Sequence, residues 1–269
     1  MKFAWRKIVR ILKRIAAPIL FRTYDKWSRY FGGYKKYNLE HGKMYLDVSE
    51  STMMMCRALE IHERKKEEKL KEYLEKGYTF LDVGANKGYF SIIAADIVGE
   101  EGRVLSFEPD PDNFIRLKKN IEENELDNVE CLNVAVGAKE GEEKMVRGKN
   151  SGWSSLVRGE KDAKESFSVE KIKLDKILEK EGVETVSVVK IDVEGAECRV
   201  IKGAKRTIDK NDGIKLLIEV HESMPEGAGN LLSVLRGVGL TVTDEDGRYI
   251  DEEELKEAGP THSIIAHRT

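Results

Sequence analysis

Apolar and polar positions follow two different periods along this chain, and the places where the period changes divide it. From Thr79 onward, short β-rich runs fall at 79–83, 103–107, 129–134, 185–191, 214–220, 239–243 and 262–267. Between them, apolar residues recur at helical spacing over 87–98, 111–124, 196–209 and 228–237. Such alternation predicts an α/β domain: a seven-stranded, mostly parallel sheet with helices on both faces. Residues 137–180 interrupt the alternation with an insertion rich in Gly, Ser and charge, in which 167–173 reads as a strand and 174–180 as a short helix. Upstream, 53–76 has helical spacing with a charged face at Glu63–Glu68, and Gly77 is placed to close that helix.

The N-terminus differs from the rest. Wound as a helix, residues 1–17 put Ala4, Trp5, Ile8, Ile11, Leu12 and Ile15 on one half and Lys2, Arg6, Lys7, Arg10, Lys13 and Arg14 on the other, with Phe3 the one large apolar exception. Pro18 ends or kinks it. A basic face opposite Trp and Ile suits an interfacial helix on anionic lipid. The bland alternative is a first helix packed on the body with a solvated basic face. A secretory signal fits poorly, because arginines interrupt the apolar run. Residues 19–45 are aromatic and basic, a pattern that fits a lid or docking surface. The expected division is therefore an extension at 1–45 and a main domain at 46–269.

Charge sharpens this division. The net charge of −3 conceals twelve Lys/Arg against Asp25 and Glu40 in residues 1–43, a local +10 that leaves −13 for the remainder. The chain is 40% hydrophobic, too apolar for disorder. It has no run of the roughly 18 apolar residues that a membrane span needs. Cys56, Cys131 and Cys198 offer neither a disulfide framework nor zinc spacing, so the expected setting is cytoplasmic, with peripheral contact at the inner membrane face through residues 1–17. Glutamine is absent while Lys and Glu abound, a thermophile-like composition.

The candidate chemistry begins at Phe80-Leu-Asp-Val-Gly-Ala-Asn-Lys-Gly88, a strand entering a glycine turn and then a helix. Gly84 and Gly88 let the backbone approach a ligand at the end of the first strand. Glu108 closes the second strand, 24 residues after Gly84, where an acid can accept both hydroxyls of a ribose. Together they predict a nucleoside site. Positions 86 and 89 are Asn and Tyr rather than the glycine pattern of a dinucleotide fingerprint, and no phosphate-loop lysine motif is present. Asp82 would point an acid at the ligand, which suits a sulfonium and repels a pyrophosphate. S-adenosylmethionine is the nucleoside that these features favour.

Phe80-Leu-Asp-Val-Gly-Ala-Asn-Lys-Gly-Tyr-Phe90, Ser106-Phe-Glu-Pro-Asp110 and Val189-Lys-Ile-Asp-Val-Glu-Gly-Ala-Glu197, followed by Gly203-Ala204, resemble the FkbM family of class I methyltransferases over residues 60–267. The resemblance implies a Rossmann-like fold, S-adenosylmethionine as methyl donor, and O-methylation of a sugar or other small metabolite. It also implies a role for Glu63, where the family often has an acid before the glycine turn, and for the insertion motif Asn150-Ser-Gly-Trp-Ser-Ser-Leu156. The expected cofactor-binding set is Glu63, Asp82, Gly84, Ala85, Asn86, Gly88, Glu108, Asn133 and Asp192.

The expected catalytic set is Asp192, Glu194 and His221. The fourth strand ends at Asp192-Val-Glu194 and the fifth at Glu219-Val-His221, and open α/β sheets bind ligands beyond such ends. Transfer to an alcohol needs alignment and a base, which His221 near its ordinary pKa can be, with Glu194 orienting it or acting itself. Alternatively, Glu194 and Glu197 only favour the start of the next helix. The catalytic groups are also hard donors that Mg²⁺ or Mn²⁺ would accept, a use that their spacing does not demand. The other histidines form no ligand cluster in the sequence. The reading is an O-methyltransferase for a hydroxyl of a glycan, lipid-linked sugar or polar small molecule. The alternatives are an RNA methyltransferase that grips phosphates with its basic arm, and an inactive, membrane-recruited binding module. The acidic body disfavours nucleic acid.

Overall fold

The computed structural model describes residues 34–47, 64–148, 154–155, 163–221, 227–257 and 261–268. The expected basic helix at 1–17, the aromatic stretch up to Gly33, Glu63 and most of the Asn150–Leu156 motif lie outside these. Contacts divide the chain into two units, residues 1–39 with 44–63 and residues 40–43 with 64–269. Strands β1 (Tyr34–Leu39) and β2 (Gly42–Asp47) pair as a two-stranded sheet.

The larger unit starts with α1 (Arg64–Tyr73). Gly77 lies four residues beyond the end of α1, so it does not close the helix as expected; at φ +81° it serves the turn into β3 (Thr79–Val83), where its N–H donates to Val98 O. Then follow α2 (Tyr89–Val98), β4 (Arg103–Phe107), α3 (Pro111–Glu122) and β5 (Val129–Leu132). Helix α3 starts where Asp110 accepts from the N–H groups of Asp112 and Asn113, with Pro111 in the first turn.

The described part of the insertion holds more strand than its composition predicts. Strands β6 (Ala135–Val136), β7 (Gly141–Gly148), β8 (Ser154–Ser155) and β9 (Ala163–Ile172) form a second sheet in the order β6-β9-β7-β8. The expected strand at 167–173 is part of the ten-residue β9. Strand β7 gave no clear signal because little of it is buried: Met145 joins Ala135 and Val169 in a small apolar cluster. The expected third strand, 129–134, stops at Leu132, and β6, two residues further on, belongs to the second sheet through its pairing with β9. Helix α4 (Leu174–Lys180) occupies the predicted span.

The chain then returns through β10 (Val188–Ile191), α5 (Glu197–Gly203), α6 (Lys205–Lys210), β11 (Lys215–His221), α7 (Ala228–Gly237), β12 (Thr241–Asp244), α8 (Glu252–Glu257) and β13 (Thr261–His267). The single helix expected over 196–209 is two, interrupted at Ala204. The central sheet has the order β12-β13-β11-β10-β3-β4-β5, parallel except for β13, which runs antiparallel to β11 and β12. Winding therefore reverses between β3 and β10, the point at which open α/β sheets leave a crevice beyond their strand ends.

Period-2 alternation gives the two faces of this sheet different chemistry. Leu81, Val83, Leu105, Phe107, Val189, Ile191, Leu216 and Ile218 join the main apolar core with residues of α4, α5, α6 and α7. On the other face, register aligns Ser106, Asp82 and Lys190 across three neighbouring strands. These polar groups pair with one another, as burial favours, with Asp82 Oδ1 facing the Lys190 ammonium as an ion-pair partner and not through a hydrogen bond. Ser91 of α2 donates to Asp82 Oδ2 at 2.7 Å, and Ser106 donates to Ser91 at 2.8 Å.

Candidate functional site

Three residues of the turn from β3 to α2 have positive φ: Gly84 (+84°), Asn86 (+53°) and Gly88 (+90°). The sequence provides two glycines and an asparagine, the types that tolerate this region. Gly84 has a further constraint, because a Cβ there would lie 1.9 Å from the Asp192 carbonyl oxygen. It is a glycine because β10 passes so close, and not only because a ligand must. The turn uses its own donors: Gly84 and Ala85 donate to Phe107 O, Asn86 donates to Glu108 Oε2, and Gly88 donates to Ala85 O. These four amides are therefore not aimed outward as a phosphate cradle would be.

Glu108 follows β4 and is 5% exposed. Its carboxylate accepts from Asn86 N–H at 2.7 Å and from Asp110 N–H at 2.9 Å. Burial dominates over these two donors and pushes its pKa up to about 7. Asn133, expected to touch the cofactor, donates its side-chain amide to the carbonyls of Glu108 and Pro109 and so braces this loop. Asp82 does not face the crevice. It is fully buried, held by Ser91 and 3.3 Å from Lys190 Nζ. The acid expected to meet a sulfonium is thus matched from within the protein, because its position on β3 sends it under α2.

The second cluster lies beyond β10 and at the end of β11. Glu194 (φ +53°) and Gly195 (φ +105°) form a left-handed pair. Asp192, Glu194 and His221 come together as expected: His221 Nε2 is 3.6 Å from Asp192 Oδ1 and 3.7 Å from Glu194 Oε1. Glu197, fully buried, meets the other ring nitrogen at 3.1 Å. Burial disfavours the imidazolium, but the Glu197 hydrogen bond and the charges of Glu194, Asp192 and Glu197 outweigh it, raising the pKa to about 9. His221 therefore carries a proton at neutral pH. The expected near-neutral base is instead a cation, because three acids surround it.

Lys190, Glu197 and Glu219 took no catalytic part in the sequence reading. The signal for Lys190 was a lysine inside an otherwise apolar strand, which requires a buried partner. Its ammonium donates to Gly84 O at 3.2 Å, lies 3.4 Å from Asp192 Oδ2 and stands 5.2 Å from the Phe90 ring centre. It ties the glycine turn to the β10 end. Asp192, Glu219 and His221 also bring ligand atoms within 4.8 Å of one another, as a divalent ion would need. Lys66 of α1 pairs with Glu219, and Lys190 with Asp192, so two of these donors already meet a cation. Contrary to expectation, a second histidine has such neighbours: Glu40, His41 and Glu67. Lys71 sits among them, 2.9 Å from Glu67 and 3.3 Å from Glu40.

Comparison with known proteins agrees with this architecture. The chain is 27% identical over 165 residues to the hexuronic acid methyltransferase AglP of Haloferax volcanii, a match covering 61% of this chain and 65% of that protein. It is 26% identical over 226 residues to the 31-O-demethyl-FK506 methyltransferase FkbM of Streptomyces tacrolimicus, covering 73% and 83% respectively. Among solved structures, a candidate rRNA methylase from Clostridium thermocellum superposes with a TM-score of 0.50 at 14% identity, over 76% of this chain and 93% of that one, a likeness of fold alone. The profile of the Methyltransferase FkbM domain matches residues 82–253, from β3 to α8. The chain belongs to the FkbM family of methyltransferases.

Proposed function

We propose that this protein is an S-adenosylmethionine-dependent O-methyltransferase acting on a hydroxyl of a glycan, a lipid-linked sugar or a polar small molecule. One juxtaposition carries the reading: the glycine turn with Glu108 ends two neighbouring strands, and Asp192, Glu194 and His221 end the next two across the point where winding reverses. The residues present fit the cofactor. Glu108 retains lone pairs for ribose hydroxyls beyond the two amide bonds it accepts, and the inward-turned amides of Gly84, Ala85, Asn86 and Gly88 disfavour a phosphate ligand.

When bound, S-adenosylmethionine supplies an electrophilic methyl group on a sulfonium. The protein's task is then to align an acceptor oxygen and receive its proton. An alcohol O–H becomes strongly acidic as its oxygen takes the methyl group, so a carboxylate is a sufficient base. Asp192 or Glu194 receives the proton. The His221 imidazolium orients those carboxylates and balances their charge. The relative named for hexuronic acid supports a sugar-like acceptor. Calorimetry with S-adenosylmethionine tests the cofactor, and transfer of a tritiated methyl group to glycan, lipid and RNA fractions tests the acceptor. Label confined to the RNA fraction would overturn the reading.

A further inference from the structure

Between Glu194 and Glu197 the chain bears two costs within four residues. Glu194 adopts a left-handed conformation that non-glycine residues rarely take. Glu197 is fully buried, and its Oε2 finds no hydrogen-bond partner among the described residues. A carboxylate retained there only to start α5 would gain more from meeting free N–H groups with both oxygens. Instead a single oxygen, Oε1, accepts from the Gly195 N–H at 2.9 Å and meets His221 Nδ1 at 3.1 Å. The atom that holds the loop carrying Glu194 also holds the imidazole.

We propose that Glu197 is a positioning residue for methyl transfer: it fixes the His221 ring so that Nε2 faces Asp192 and Glu194, and it locks the loop that presents Glu194. The proposal rests on the methyl-transfer reading of this crevice. A buried acid on one ring nitrogen selects which edge of a histidine faces its site, and supporting groups of this kind typically change activity 10–100-fold. The charged groups around the ring are Glu197 of α5, Asp192 and Glu194 beyond β10, and Glu219 on its own strand. Lys190 and Lys66 stand behind Asp192 and Glu219 respectively.

The test is Glu197→Gln in the full chain, which keeps the shape and removes the charge. Nitrogen-15 NMR of the histidine rings in the cofactor-free protein, assigned with His221→Asn, reads the protonation of His221 directly. In wild type both ring nitrogens should remain protonated at pH 7.5; in Glu197→Gln the proton should leave at least one pH unit lower. Methyl transfer to the glycan fraction should lose at least tenfold in kcat, with the dissociation constant for S-adenosylmethionine within about twofold of wild type. Should that variant fail to fold, Glu197→Asp, which withdraws the charge by one methylene, carries both readouts in the same direction. An unchanged His221 titration with unchanged kcat overturns the proposal. If wild type transfers no methyl group at all, the functional reading fails, while the NMR titration still decides whether Glu197 governs the ring.

Discussion

Glu108, the carboxyl proposed to meet the ribose hydroxyls, is also the one that burial disfavours in its ionised form. With a pKa of about 7 it is partly protonated near neutral pH before any ligand arrives, whereas ribose hydroxyls bind best to its ionised form. Affinity for S-adenosylmethionine should therefore weaken as pH falls from 8 to 5.5 and should be nearly flat over that range in Glu108→Ala. That substitution should itself cost about 1–3 kcal/mol at pH 8, read by calorimetry. An unchanged affinity would remove Glu108 from the site. At the second cluster, Asp192→Asn and Glu194→Gln should each lower kcat, and Glu194→Gln, which lies outside the expected cofactor-binding set, should leave cofactor affinity nearly intact; the carboxylate that acts as base should account for roughly 10²–10⁴-fold. Gly84 behaves differently from what a ligand-facing glycine would predict. Because its Cβ would strike the Asp192 carbonyl at 1.9 Å, Gly84→Ala should force β3 and β10 apart and lower the melting temperature, with binding lost as a consequence.

At the scale of elements, several joints are held from a distance. Helix α6 begins without a side-chain cap from its own first residue. Asp175 of α4 supplies one, accepting from the N–H and hydroxyl of Thr207 and from the N–H of Arg206. This explains the interruption at Ala204: a new helix can start there because a carboxylate some thirty residues earlier meets its free amides. Asp175→Ala should destabilise the protein by about 1–3 kcal/mol in urea unfolding and leave S-adenosylmethionine affinity unchanged. A larger effect on affinity than on stability would mean that α4 supports the crevice directly. Gly203 is another such joint, since a Cβ there would lie 2.1 Å from the Gly137 carbonyl oxygen. It lets the end of α5 pack against the start of the insertion.

For the molecule as a whole, the two raised pKa values act on stability in the same direction. Glu108 prefers its neutral form in the fold, so its burial costs nothing below about 4.5 and progressively more as pH rises to about 7. His221 is held as a cation, so its ion pairs are fully present below about 6.5 and are lost as pH rises through about 9. Both contributions decline with rising pH. The cofactor-free protein should therefore melt at lower temperature at pH 9 than at pH 5. Glu108→Ala should flatten the lower part of that curve, and His221→Asn the upper part. A melting temperature that rises across this range would contradict both assignments. No helix among the described residues is long and apolar enough to cross a membrane.

The sequence alone determined the strand–helix alternation, the placement of the glycine turn and Glu108 on neighbouring strands, and the gathering of Asp192, Glu194 and His221. These follow from periodicity and from the rule that ligands meet strand ends, both local properties of the chain. Tertiary structure decided the rest. Asp82 and Lys190 form an ion pair under α2 because parallel register sets β3 beside β10, a pairing of residues 108 positions apart. His221 is a cation rather than a free base because α5 returns Glu197 against it. Strand β7 formed without a strong apolar pattern because β9 supplies its ladder. Charge state and pairing depend on what lies within a few ångströms in space, and only the fold decides which distant residues those are.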